Sequence, residues 1–190
     1  AGDDLLRVTD ANPNRGGLEL VLEAYSIFDE GPQALLRAVE AGTVKTLILV
    51  GSEYPEANQR WTDALAKTQA VICYASSWDE SSRAAHLVIP MCSYAEQDGT
   101  FVNIAGRMQR VHRALDPIGG RKTTLEAASF TANALGAGKE WTIHDWMAAF
   151  NQLKKRTNLL RNINPLGLGP WGMTLEAEEP TGGGEQRVAG

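Results

Sequence analysis

The chain has 190 residues, enough for one domain with its own core, and its balance of 43% hydrophobic and 22% charged residues is that of an ordinary globular protein. A formal net charge of −5 argues against a general nucleic-acid binder, which needs a basic face. Two cysteines, Cys73 and Cys92, outside any CxxC spacing, exclude an ordinary four-thiolate iron–sulfur cluster or structural zinc site built by this chain alone. Both lie near apolar runs and read as buried free thiols in a reducing compartment. The N-terminal AGDDLLRVTD is too polar for a signal peptide. The longest apolar run, Thr46–Val50, is far short of the roughly 20 residues that span a membrane. The chain begins with Ala rather than Met, which fits a processed chain or a piece of a larger one.

In chain order, ANPNRGG at Ala11–Gly17 reads as a loop whose paired glycines allow positive φ. Leu18–Tyr25 is compatible with helix or strand. Gly31-Pro32 opens a helix with an apolar stripe of Leu35, Leu36 and Val39 and a cap at Gly42. Val44–Val50 is a nearly continuous β-rich run that predicts a strand buried on both faces. Pro55 begins the next helix, with Ala57, Trp61, Ala64 and Leu65 on one side. Ala70–Ala75 reads as a second strand, Asp79 as the cap of a short helix to Ala85, and Leu87–Ile89 as a third strand stopped by Pro90. This alternation predicts an α/β fold: a doubly wound, mostly parallel Rossmann-like sheet flanked by helices, with right-handed crossovers.

After Pro90 the pattern changes. A turn at Asp98-Gly99, an extended run at Thr100–Ile104, Ala105-Gly106 and a second extended run predict a hairpin or an irregular functional loop. Thr123/Thr124 cap a helix to Leu135, with Gly136 past its end. Thr142 begins another, with Asp145 three residues on. Its stripe is Ile143, Trp146, Met147, Phe150 and Leu153, and Lys154, Lys155 and Arg156 suit its negative end. The expected organisation is an α/β domain over 1–156 and a Pro/Gly-rich extension over 157–190, whose end at Pro180–Gly190 is expected to be disordered.

No phosphate-cradling GxGxxG or GxxxxGK[ST], no GxSxG and no HExxH occurs. His86, His112 and His144 stand apart and read as isolated residues, not a metal site; Glu96 and Asp98 are a weak acid/base candidate at a turn. The richest segment is Glu96–Arg113. It gathers Arg107, Arg110, His112 and Arg113 on an acidic chain, with Gly99 and Gly106 permitting close backbone approach. Arginine forks suit phosphate or carboxylate, and the segment follows the carboxyl end of a strand, where open α/β sheets bind ligands. The competing reading is a solvated basic hairpin or subunit contact.

The stretch AAHLVIPMCSYAEQDGTFVNIAGRMQ resembles the molybdopterin oxidoreductase family at Ala85, Leu87, Val88, Ile89, Pro90, Ala95, Glu96, Gly99, Thr100, Phe101, Asn103, Arg107 and Gln109. ANPNRGG, VKTLILVGSEYP and ALDPIGG are similar to the family's opening loop, strand end and exit, so the resemblance runs from about Ala11 to Gly136. The run AEQDGTFVN, with CSY before it, is most similar to one branch: the large iron–sulfur subunit of NADH:quinone oxidoreductase, respiratory complex I. The resemblance implies a structural domain that supports electron transfer from NADH to quinone without its own redox centre. Iron–sulfur clusters are then expected in the rest of the subunit or in partners. The partners implied are the other subunits of the complex, in the cytoplasm and peripheral to the inner membrane. Catalytic relatives imply an alternative, a fragment of a molybdopterin guanine dinucleotide enzyme such as a formate dehydrogenase, in which Thr100, Asn103, Arg107 and Gln109 would line the cofactor. A free-standing adaptor of the same fold is the third possibility. His86 in place of the family's Asp, Ala105 in place of Glu, and RKTTLEA in place of an Ala-Arg-x-Asp-Trp step favour a fold that has outlived its ligand. The helix at Ile143–Leu153 and Trp171 are candidate partner contacts.

Overall fold

A computed structural model describes residues 12–28, 30–51, 59–136 and 143–175. The starts expected at Pro55 and Thr142, and the Gly-rich end at 180–190, lie outside them. Along the chain the elements are α1 (Arg15–Ala24), α2 (Pro32–Glu40), β1 (Thr46–Val50), α3 (Gln59–Ala66), β2 (Ala70–Ala75), α4 (Glu80–Ala84) and β3 (Leu87–Pro90). There follow β4 (Gly99–Val102), β5 (Arg107–Val111), α5 (Thr124–Ala134), α6 (Trp146–Lys154) and β6 (Met173–Thr174). The chain divides into two compact units: one takes Phe28–Gly99 and Val111–Ala149, the other Ala1–Ile27, Thr100–Arg110 and Phe150–Gly190.

The first unit is built on a parallel sheet in the order β1-β2-β3, with Ile48 beside Ile72 and Ile72 beside Leu87. Its helices start and stop where local chemistry dictates. Gly31, at φ 79°, leads into Pro32, whose ring presets the first helical φ and whose missing N–H costs α2 nothing there. Gly42, at φ 69°, ends that helix in the left-handed conformation that other residues resist. Asp79 caps α4 by accepting from the Ser82 N–H, while the Ser82 hydroxyl accepts from the Asp79 N–H. Leu36 and Val39 of α2 and Trp61, Ala64 and Leu65 of α3 pack with Leu47 and Val71 of the sheet in one buried cluster. Of the expected α2 stripe, Leu35 is exposed. On the opposite face, Tyr74 is buried with Ala127 of α5, and its hydroxyl bonds to the Thr131 hydroxyl.

β1 departs from the expected strand buried on both faces. Leu47 is buried, but Thr46, Ile48 and Val50 are exposed, so the apolar run is covered on one side only among the described residues. The strand sits at the edge of the sheet, and α5 reaches the Tyr74 side of the second face.

The second unit is a small antiparallel sheet in the order β4-β5-β6, with Arg107 opposite Thr174 and Met108 opposite Met173. Val102 and Met108 bury against Leu20 of α1, Phe150 of α6, and Leu160 and Ile163 of the segment after α6. The chain beyond Arg156 is thus folded through Leu175. Thr157 and Asn164 cap short 3₁₀ turns, and the Leu175 N–H donates to the Gly106 carbonyl at 2.9 Å. Of the α6 stripe, Phe150 is buried while Ile143, Trp146, Met147 and Leu153 are half-buried.

Gly16 and Gly17 lie in the first turn of α1 rather than in a positive-φ loop. Their role is space. A Cβ on Gly16 would stand 2.6 Å from the Asn103 carbonyl oxygen, and one on Gly17 would stand 2.1 Å from the Asn14 Oδ1.

Candidate functional site

The segment from Met91 to Arg113 divides between the two units. In the parallel-sheet unit the centre is Glu96, only 2% exposed. Its Oε2 accepts from the Ser93 N–H and the Ser93 hydroxyl, both at 2.8 Å, and faces the Arg121 guanidinium at 3.5 Å. Its Oε1 accepts from the Ile118 N–H at 3.1 Å. These donors, the Ser93 N–H and hydroxyl first, outweigh burial and hold the carboxyl at a pKa of about 2. Both Glu96 oxygens are thus engaged by the loop that surrounds them. Asp98 instead accepts from the Arg113 N–H at 3.4 Å.

Gln97, for which the sequence offers no role, completes the device. Its Nε2 donates to the carbonyls of Cys92 and Ser93, and its Oε1 accepts from the N–H and the hydroxyl of Thr124. Thr123 is the N-cap of α5, in a reciprocal box with Glu126. Glu96 and Gln97 together tie the loop after β3 to Ile118, Arg121 and the start of α5. Cys92 is buried beside them, and desolvation pushes its thiol pKa up, as it does for Cys73.

In the hairpin unit, Asn103 builds the turn. Its Oδ1 accepts from the Ala105 and Arg107 N–H groups at 3.0 and 2.9 Å, its N–H donates to the Arg107 carbonyl, and Gly106 at φ 71° closes the loop. Arg107 Nη1 donates to the Trp171 carbonyl at 3.0 Å, and Gln109 is exposed on β5. Strand alternation places Thr100 on the side of buried Val102, whereas Arg107 and Gln109 flank buried Met108 and face the other way. The structure therefore brings Arg107 and Gln109 onto one exposed surface, leaves Thr100 on the opposite side, and fills the Asn103 acceptor internally. As placed in this unit, the four do not share one surface. Arg113 pairs with Asp116 at 3.1 Å, and Lys122 lies over the Phe130 ring.

Asn14 is a second residue whose role the sequence did not reveal. Its Oδ1 accepts from the Val102 N–H at 2.9 Å, capping the outer edge of β4. His86, where the family pattern has Asp, likewise acts on the backbone: its Nδ1 accepts from the Val71 N–H at 3.1 Å, and its own N–H donates to the Val71 carbonyl. An acceptor at this position anchors the start of β3 to β2. Among the described residues there is no group of three or more His, Cys, Asp or Glu placed to hold a metal ion, and no helix long and apolar enough to cross a membrane.

The sequence that builds the parallel sheet, the AEQ anchor and the first hairpin strand matches a known family. The molybdopterin oxidoreductase family profile covers residues 26–128, more than half of the chain, and the chain belongs to that family. Among its relatives, it is 28% identical over 153 residues to the NADPH-Fe(3+) oxidoreductase subunit alpha of Geobacter sulfurreducens, covering 78% of this chain and 17% of that one. It is 32% identical over 125 residues to an NADH-quinone oxidoreductase subunit of Pseudomonas putida, covering 62% and 14%. It is 31% identical over 84 residues to the F420-dependent formate dehydrogenase subunit alpha of Methanocaldococcus jannaschii, covering 44% and 12%. The chain thus spans less than a fifth of the length of each of these relatives.

Proposed function

We propose that this chain is a scaffold domain of a longer redox polypeptide, of the kind that forms the large iron–sulfur subunit of NADH:quinone oxidoreductase, and that it supports electron transfer without a redox centre of its own. The observation that carries this reading is the Asn103 carboxamide oxygen, which is filled by the Ala105 and Arg107 N–H groups. A side chain the cofactor motif would turn to a ligand is devoted to closing a hairpin. Glu96 and Gln97 act in the same way, holding loop to helix. On this reading the partners are cluster-bearing subunits of a membrane-associated complex, and the domain lies on the cytoplasmic side, peripheral to the membrane. The exposed Trp171 is a candidate contact with them.

A second reading, a domain of a molybdopterin guanine dinucleotide enzyme of the formate dehydrogenase type, is favoured by one feature. Arg107 and Gln109 stand exposed on the same side of β5, where an arginine fork suits phosphate. Metal content decides between the two. The full-length protein, purified in its native assembly, is expected to carry flavin and iron–sulfur partners and no stoichiometric molybdenum or tungsten by mass spectrometry. Stoichiometric molybdenum or tungsten, lost on Arg107→Ala substitution, would overturn the scaffold reading.

A further inference from the structure

The Val71 N–H is buried, and its acceptor is a side chain. The β2–β3 ladder begins one residue later, at the pair Ile72 and Leu87. Before that pair the chain is still leaving α4 through its C-cap, Ala85. The Ala70 N–H donates to the Lys45 carbonyl on the β1 side, so period-two geometry turns the Val71 N–H the other way, toward β3. There it donates to His86 Nδ1 at 3.1 Å. The same two residues are joined a second time, because the His86 N–H donates to the Val71 carbonyl at 2.9 Å. Val71 is 0% exposed, whereas His86 is exposed.

An imidazole fills this role in one charge state only. With Nδ1 accepting, the neutral ring carries its proton on Nε2. A second proton must go to Nδ1, which turns the acceptor into a donor that faces another donor. The ring has then to swing away, and the Val71 N–H is left buried without an acceptor. Solvent supplies the proton, because His86 is exposed. A carboxamide at the same place would accept at any pH. Histidine is the side chain whose ordinary titration falls between about pH 5 and 8.

The elements around this corner carry other charges, of both signs. α4 contributes Glu80 and Arg83, α3 contributes Arg60 and Asp63, and Lys67 follows α3. Arg60 pairs with Glu40 of α2, and Asp63 accepts from Gln59. β2 bears the Cys73 thiol and the Tyr74 phenol. These groups adjust the pH at which the ring takes its proton, but the bond that is lost stays the same.

We propose that His86 is a pH-operated latch at the corner between α4 and β3. Neutral, it fixes the start of β3 against β2. Protonated, it releases the Val71 N–H and lets Ala85–Leu87 part from the sheet. The latch works the same way whether the longer protein is a scaffold or a molybdenum enzyme.

Amide hydrogen exchange read by NMR on the 190-residue chain, expressed as protection over the intrinsic rate at each pH, tests this. Val71 protection is expected to fall at least about 10-fold between pH 8 and pH 5. Ile72 and Tyr74, whose N–H groups face β1 by the same alternation, are expected to keep theirs. In His86→Asn, whose Oδ1 accepts from the same N–H at either pH, Val71 protection is expected to be equal in the two conditions. The ring-nitrogen chemical shifts of His86 at pH 8 are expected to show Nδ1 bare and Nε2 protonated. Unchanged Val71 protection in the wild-type chain would overturn the latch, and so would an equal fall in His86→Asn. A fall shared by Ile72 and Tyr74 would overturn it as well, since it marks loosening of the whole sheet. A ring protonated on Nδ1 at pH 8 would do the same without need of any variant.

Discussion

A buried carboxylate with a low pKa makes a protein sensitive to acid, and Glu96 is the residue where this applies. Its folded-state pKa is about 2, below the ordinary value of 4.5, so the unfolded chain binds the extra proton as pH falls. The stability it contributes is complete above the ordinary glutamate range and is lost as pH descends from about 4.5 toward 2. Denaturation midpoints measured across that window are expected to fall, and to fall less steeply in Glu96→Gln, which has no proton to gain. Gly16 gives a second test, because here two effects oppose each other. Glycine to alanine inside a helix normally stabilises by about 1 kcal/mol. At Gly16 the new methyl would stand 2.6 Å from a backbone oxygen, which cannot swing aside as a flexible side chain can. Overpacking costs about 1–3 kcal/mol and wins, so Gly16→Ala is expected to lower the unfolding midpoint. His86→Ala is expected to cost about 1–3 kcal/mol by leaving the N–H of fully buried Val71 without its acceptor, a loss measurable by urea denaturation.

At the scale of elements, the features legible in the sequence are those fixed by neighbours within about four residues. The Thr123 cap, the Asp79 cap, the Gly31-Pro32 start and the stops at Gly42 and Gly136 all act locally, and all appear where the sequence places them. Thr123→Ala is accordingly expected to cost about 1 kcal/mol, seen as a lower thermal midpoint. Features that depend on distant partners were not legible. The TLILV run specifies a strand, but its burial depends on what lies beside it in the sheet, which no local pattern records. The paired glycines of ANPNRGG signal a special backbone position, yet for Gly16 the reason is the Asn103 carbonyl, far along the chain. The candidate site behaves the same way. Sequence singles out Asn103 and Arg107 but cannot show that one closes its own turn while the other reaches the Trp171 carbonyl, 64 residues away. Gln97 carried no signal of its own, because its partners at Cys92 and Thr124 meet only in the fold.

For the whole molecule, the decisive question is what the residues beyond Arg156 do. Their Asn, Pro and Gly content reads as an extension, but Leu160 and Ile163 are buried with Val102 and Met108, and β6 pairs with β5. Burying a leucine or isoleucine side chain contributes about 1.5–3 kcal/mol each, a large share of the roughly 5–15 kcal/mol that stabilises a domain. A chain ending at Arg156 would lose both side chains, the Met173–Thr174 pairing and the Trp171 carbonyl that receives Arg107. Amides of Arg107–Val111 are therefore expected to lose protection from hydrogen exchange in the truncated chain, with Val71 and Cys73 in the parallel sheet as internal references. Leu160→Ala, which keeps the full length, is expected to cost about 2–5 kcal/mol and to weaken the same amides first, because it opens a cavity in that unit's core. If both variants kept native exchange across β5, Leu160 and Ile163 would be passengers on a core that β4, β5 and α1 complete by themselves.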